Sequence, residues 1–485
     1  MAHPEAQPRP SFETIHARLG EPFLDPVRPA DFPQTRLRFR NDRWAARIGL
    51  GGLSEDAWIA HFARFQPLPG SFPEPLALRY HGHQFRVYNP DIGDGRGFLF
   101  AQMRDLADGR LLDLGTKGSG TTPWSRGGDG RLTLKGGVRE ILATEMLEAL
   151  GVYTSKTFSL IETGEALVRG DEPSPTRSAV LVRLSHSHIR IGSFQRLSAI
   201  GDTDALRRLV DHSIAYYWPD AGETPDPVAA FYDHVVGAVA TLGAEWFAAG
   251  FVHGVLNTDN ISITGESFDY GPWRFLDRYD PGFVAAYFDQ TGLYAFARQP
   301  EALNWNLARL GECLIPLSGR AAIEAAFESF ADRFQSALTR QTFARLGLLP
   351  GSGSAAARDL THRFWSAMHE TAPPFQQVFH DMLAAGIPDR LRASPLRRLY
   401  ETAPWAAVID RLRDLPVALV APASDLPPET MVIEEVEAIW TAIDRDDDWS
   451  PLHAKIARVR AAGAANSALG LLRGPNTRPG HVPLD

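Results

Sequence analysis

The chain has 485 residues, 44% hydrophobic and 22% charged, the composition of an ordinary globular protein that is too long for a single core and suggests two or three domains. Its 58 acidic residues outnumber its 49 basic ones, for a net charge of −9, which argues against a general nucleic-acid or membrane-surface binder but leaves room for a local basic pocket. Cys313 is the sole cysteine, so no intramolecular disulfide can form; the polar, proline-rich start from Met1 to Pro10 lacks a signal-peptide core, the longest apolar run, Val235 to Ala244, is too short to cross a bilayer, and a cytoplasmic location is expected.

Residues 1 to about 75 read as an N-terminal extension with short helices, and no internal repeat is visible. From about 76 to 195 the pattern is strands, glycine-rich turns and one helix. Gly93-Asp94-Gly95-Arg96-Gly97 precedes a strand over Phe98 to Met103, and Asp108-Gly109 marks a hairpin turn. A second strand carries Leu111, Leu112 and Leu114 and ends at Lys117. After a polar, glycine-rich loop from Gly118 to Gly130, a helix is predicted over Arg139 to Leu150, stopped by Gly151. From about 196 to 345 the chain is mostly helical. Phe231, Val235, Val239, Leu242 and Trp246 fall at steps of four, four, three and four, one continuous apolar face that ends at Gly250. From about 355 to 470 it is helical again, after the flexible Gly351-Ser352-Gly353-Ser354. The stretch from Arg473 to Asp485 lacks apolar periodicity and reads as a loose tail.

The chemistry concentrates just after Gly250. His253-Gly254-Val255-Leu256-Asn257-Thr258-Asp259-Asn260, then Asp269-Tyr270-Gly271, follows the protein-kinase pattern H-R-D-x-x-x-x-N and D-F-G, with Val255 in the slot of the catalytic Asp and a somewhat shorter gap between the two motifs. Valine cannot take a proton. Asn260 and Asp269 offer hard oxygens suited to Mg²⁺ or Mn²⁺ on nucleotide phosphates. Asp259 is either a turn-forming residue or the base that replaces the missing one. Upstream, the order of glycine loop, hairpin, lysine and glutamate-bearing helix is that of a kinase N-lobe, with Lys117 and Glu140 as the phosphate-binding lysine and its orienting glutamate. Gly93, Gly95 and Gly97 are a weak signal alone, but Arg96 inside the loop suits phosphate. Asp129-Gly130 is a turn that could add a second contact to nucleotide. Arg183 and Arg190 are either solvated surface charges or a second phosphate clamp, one for which an ordinary kinase N-lobe has no obvious use. His81-Gly82-His83 reads as a turn rather than a metal dyad, and neither a G-x-S-x-G elbow nor a Walker A sequence is present.

With these residues in view, the chain resembles the selenoprotein O family of protein adenylyltransferases. The resemblance rests on Gly82-His83-Gln84-Phe85, Gly93-Asp94-Gly95-Arg96, Lys117 to Arg126, Gly128-Asp129-Gly130-Arg131, Arg139-Glu140, Ser187-His188-Ile189-Arg190, His253 to Asn260 and Asp269-Tyr270-Gly271-Pro272, strong from about residue 76 to 280 and loose beyond about 320. It implies an α+β, protein-kinase-like two-lobe fold that holds ATP inverted and moves AMP onto Ser, Thr or Tyr hydroxyls of proteins, with UTP usable similarly. By motif, Asp259 would be the base and Asn260 and Asp269 would hold Mg²⁺ or Mn²⁺. Gly93, Gly95, Arg96, Lys117, Asp129, Gly130, Arg183, Arg190 and Asp269 would line the nucleotide, and Glu140 would pair with Lys117. The division expected is 1–195 for the extension and N-lobe and 196–485 for a mainly helical C-lobe. Many family members carry a selenocysteine or cysteine near the C-terminus, and no Cys follows Cys313 here. The stretch from Pro428 to Ala438 also departs from the usual pattern, so that docking or regulation would differ. Proteins and a nucleotide are the expected partners, with no nucleic acid and no membrane. Two rivals remain: a kinase that moves the γ-phosphoryl group, and an inactive nucleotide-binding scaffold.

Overall fold

The structure is a computed structural model that describes residues 9–170, 172–349, 354–386, 388–413, 415 and 427–468. The predicted tail at 473–485 and most of the 351–354 stretch lie outside the described residues. The fold is mixed α+β, with an antiparallel sheet leading and helices dominating the second half.

Nine strands form the main sheet: β1 (Phe12–Glu13), β2 (Leu24–Pro26), β3 (Arg36–Arg40), β4 (Leu76–Leu78), β7 (Leu99–Arg104), β8 (Leu111–Lys117), β9 (Leu132–Thr133), β10 (Lys156–Leu167) and β11 (Thr176–Ser185). Their order is β2-β4-β7-β8-β11-β10-β3, with β1 beside β7 and β9 beside β11. A small hairpin, β5 (Gly82–Gln84) with β6 (Val87–Asn89), stands apart from it. The N-terminal segment therefore does more than precede the fold. It supplies β1, β2 and β3 to the sheet, and its helices α1 (Asp42–Arg47) and α2 (Glu55–Phe62) cover one sheet face.

Alternation along the strands sorts the two faces. Val180, Val182 and Leu184 pack with Trp44, Trp58 and Phe62 of α1 and α2. Ala179 and Leu181 face the opposite way, toward α3 (Leu134–Ala149). That helix begins five residues before its predicted start, because the Thr133 hydroxyl caps it by accepting from the Gly136 N–H at 3.1 Å. It ends on schedule, with Gly151 in a left-handed turn at φ +79°.

Helices α4 (Ile191–Ala199), α5 (Thr203–Tyr217) and α6 (Pro227–Ala249) follow. In α6 Asp226 caps the first turn by accepting from the Ala229 N–H at 3.0 Å, Pro227 opens it, and Gly250 closes it at φ +68°. Phe231, Val235, Val239, Leu242 and Trp246 are all fully buried, as their spacing predicts. Strands β12 (Phe251–Val252) and β13 (Arg274–Phe275) then pair, which brings the segment after α6 beside the segment that carries Asp269. The remaining helices are α7 (Gln299–Ser318), α8 (Arg320–Glu328), α9 (Phe330–Leu346), α10 (Ala355–Thr371), α11 (Phe375–Gly386), α12 (Pro388–Ala393), α13 (Arg397–Tyr400), α14 (Ala403–Arg413), α15 (Ile433–Asp446) and α16 (Ser450–Ala468). Cys313 is buried in α7, where burial pushes its thiol up to about 12. The last two helices fold back on the sheet half. Arg460 of α16 grips Glu145 of α3 at 2.6 and 2.8 Å, and Asp447, just after α15, accepts from Arg177 of β11 at 2.8 Å. Among the described residues no helix is long and apolar enough to cross a membrane.

Candidate active site

Strand register does the first work. Lys117 lies opposite Leu181 and Gly115 opposite Arg183, so Lys117 and Arg183 occupy one face of the β8–β11 ladder as a diagonal pair. From that face Lys117 Nζ donates to Glu140 of α3 at 2.6 Å and to Asp269 at 2.7 Å. Arg183 stands 3.5 Å from the same Asp269 oxygen and 5.2 Å over the Phe268 ring. Burial alone would push the Asp269 carboxyl up, but Lys117, Arg183 and Arg96 hold it well below the usual carboxylate range.

The loop from α6 reaches the same point from below. His253 is buried and neutral, since burial lowers its pKa, and its Nε2 bonds the Phe268 carbonyl at 3.0 Å. That bond ties the loop to the residue before Asp269, whose own backbone is left-handed at φ +63°. Asn260 donates through Nδ2 to the Val255 carbonyl at 3.1 Å and lines the cavity. Asp259 is buried, and its Oδ1 has no hydrogen-bond partner. Desolvation pushes its carboxyl up to about 6, against the pull of Arg190. Arg190 is pinned at the mouth of α4. It donates to the Asp259 carbonyl at 3.0 Å, lies 3.5 Å from Asp94, and stacks over Tyr80 at 4.2 Å.

Lys117, Arg183, Arg190, Asp259, Asn260 and Asp269 open on one cavity of about 690 Å³. Every nucleotide, base and metal residue expected from the sequence lines it: Gly93, Gly95, Arg96, Lys117, Asp129, Gly130, Arg183, Arg190, Asp259, Asn260 and Asp269, with Glu140 behind Lys117. Val255 lines it too. The glycine loop is shaped by close approach, since a Cβ on Gly93 would stand 2.5 Å from the Trp124 ring. Gly130 is at φ +69°, and a Cβ there would meet the Gly120 backbone at 2.2 Å. Asp129 sits at the rim, half-exposed, paired with Arg169 at 2.8 Å. His81 and His83 are held by Tyr88 and Gln195, at 2.7 Å each, and among the described residues no cluster of three or more His, Cys, Asp and Glu side chains is placed to hold a metal. The sequence reading missed Tyr80, Asp94, Arg126 and Arg169. Asp94 and Arg126 sit inside motifs already singled out, whereas Tyr80 and Arg169 carry no local signal and arrive only through the fold.

Charge separates this cavity from the rest of the chain. Seven Lys and Arg side chains line it against four carboxylates, in a protein whose net charge is −9. The two central carboxyls are driven apart, Asp259 pushed up and Asp269 held down.

A family model described as protein adenylyltransferase SelO matches residues 9–460. The chain belongs to this family. A protein nucleotidyltransferase YdiU from Synechococcus elongatus is 46% identical over 480 residues, covering 93% of this chain and 95% of the relative. Its namesake from Gloeobacter violaceus is 46% identical over 466 residues, with the same coverage of both chains. One from Vibrio cholerae is 41% identical over 332 residues, covering 68% of this chain and 67% of the relative. Membership in the SelO family makes the protein an enzyme, a protein nucleotidyltransferase of the adenylyltransferase kind. The family match extends well past residue 320, beyond the region where the motifs alone carry it.

Proposed function

We propose that the protein, in a kinase-like two-lobe fold, transfers AMP from ATP to Ser, Thr or Tyr hydroxyls of cytoplasmic proteins, and UMP from UTP in the same way. The observation that carries this reading is the pairing of an excess of cations with a carboxylate out of step with the kinase motif: Val255, in the sequence slot of the kinase aspartate, lines the cavity, and Asp259 offers a free oxygen instead. Lys117, Arg183, Arg190 and Arg96 would hold the triphosphate, with the diphosphate end against them. The acceptor hydroxyl would give its proton to Asp259 Oδ1 as its oxygen bonds to the α-phosphorus. The bond from that phosphorus to the bridging oxygen would break, and diphosphate would leave with its charge offset by the same cations.

Asn260 and Asp269 offer the hard oxygens that would hold a divalent cation, Mg²⁺ or Mn²⁺. Such an ion, when bound, offsets phosphate charge. ATP labelled separately at the α- and γ-phosphates tests the reading. Label from the α position should stay on protein, and the Asp269→Ala variant should lose it. Label retained only from the γ position would mean a kinase, and no label from either with intact ATP binding would mean a scaffold.

A further inference from the structure

A second cavity, of about 440 Å³, lies behind α3, walled by the end of that helix, α1, the start of β10, Glu266 and α16. Its volume falls in the ~300–1,000 Å³ range of small-molecule sites. Most charges on its wall are neutralised by close partners. Arg43 engages Glu148 with both terminal nitrogens, Arg460 engages Glu145 through Nε and Nη2, and Arg110 is held by Asp108 at 2.8 Å and by the Tyr153 hydroxyl at 3.1 Å.

Two charges are not. Lys156 is buried, and its ammonium stands 3.5 Å from Glu148, a carboxylate already taken by Arg43. Glu266 is buried as well and accepts from the His186 backbone N–H at 2.8 Å, while Lys156 and Arg110 act on it only at longer range. Burial lowers the pKa of Lys156 and raises that of Glu266 to about 7, as expected for charged groups taken out of water. A plain anion entering here would meet Glu145, Glu148 and Glu266. A plain cation would meet Lys156 and Arg110. A molecule carrying both charges can meet Lys156 and Glu266 at once.

We propose that this cavity binds a small zwitterion of free-amino-acid size, its carboxylate taken by Lys156, its ammonium by Glu266, and its side chain by the apolar wall of Trp44, Leu112, Val152 and Leu184. The site touches both elements that hold Lys117. Its wall includes the end of α3, the helix that carries Glu140, and Glu266 lies three residues before Asp269 on a segment tied to the cavity by the Ser267 N–H to Tyr153 carbonyl bond at 2.9 Å. Filling the cavity therefore stiffens both supports of the lysine clamp, and the ligand acts as an effector of the cleft rather than as its substrate.

The test is calorimetric titration of the full chain with each of the twenty free amino acids, with succinate and putrescine as controls that carry charges of one sign only. At least one amino acid should bind and neither control should. Lys156→Met and Glu266→Gln should each weaken binding about tenfold or more, as expected for loss of one charge-assisted contact, with ATP binding retained as proof of folding. Hydrogen exchange on the wild type should slow in residues 145–156 when the ligand is added, a readout that stands if either variant fails to fold. The proposal is overturned if no amino acid binds, if succinate or putrescine binds equally, or if binding survives both substitutions.

Discussion

Asp259 is where the reading is most exposed to test. Its carboxyl is nine-tenths buried with one oxygen unpartnered, and desolvation lifts it to about 6 from 3.8. A base must be ionised to work, so transfer should rise from pH 5 to pH 7 with a midpoint near 6 and then level, a profile that kcat/KM measured across that range would display. The Asp259→Asn variant should lose about 10²–10⁴-fold in rate and lose that limb of the profile. The same shift has a stability consequence of opposite sense. The folded state holds the proton more tightly than the unfolded one, so the stabilisation from protonated Asp259 is complete below pH 3.8 and lost as pH rises through 6. Asp259→Asn should then unfold at a higher temperature than the parent at pH 8, a pattern that a merely structural aspartate would reverse. Asp259, Asn260, Asp269 and Lys117 were legible in the sequence because each belongs to a short contiguous motif whose spacing is fixed by a loop or a strand end. Tyr80 and Arg169 were not, since one comes to Arg190 by stacking across the chain and the other reaches Asp129 from the β10–β11 hairpin, 40 residues away.

At the scale of elements, helices with long apolar faces were read correctly and short strands were missed. The face of α6 needed only its own periodicity. Strands β1, β2 and β3 run two to five residues, too few to show alternation, and exist because an edge of the sheet is there to receive them. The start of α3 was hidden for another reason. Gly136 and Gly137 look like breakers, yet a Cβ on Gly137 would stand 2.3 Å from the Leu160 side chain, so the missing side chain is what lets α3 lie flat on β10. That helix carries Glu140 and is held at its other end by Arg460 of α16, far along the chain. Removing the clamp should matter twice. Arg460→Ala leaves Glu145 buried without its cation; breaking a fully buried pair costs about 3–5 kcal/mol, and with Arg460 33% exposed a loss on the order of 2 kcal/mol is expected, read as a lower melting temperature. Transfer activity should also fall, and Arg460→Lys should restore part of the stability while α3 regains an anchor.

For the whole molecule, charge and core pull in different directions. The net charge of −9 repels polyanions, and the cleft inverts that balance locally. Binding of ATP should therefore weaken steeply with ionic strength and exceed that of AMP, since the cations that attract it line the phosphate end; equal affinities for the two in a salt titration would contradict the cleft's polarity. The core, by contrast, runs across residue 195. One continuous cluster of buried side chains runs from Ile15 and Leu111 through α3 and α6 to Val459 of α16, so residues on both sides of the proposed boundary at 195 complete each other's packing. Kinase-like lobes would lead one to expect two bodies that part easily. Here a fragment of residues 1–195 would expose the face of α3 that α15 and α16 cover, and a fragment of 196–485 would expose the matching helices. Neither should fold alone, as judged by cooperative thermal unfolding and by near-ultraviolet dichroism from the buried tryptophans. Mixed together, the two should recover a cooperative transition and ATP binding. Independent cooperative unfolding of either piece would show that the shared cluster contributes little to holding the lobes together, and that opening between them is the freer motion.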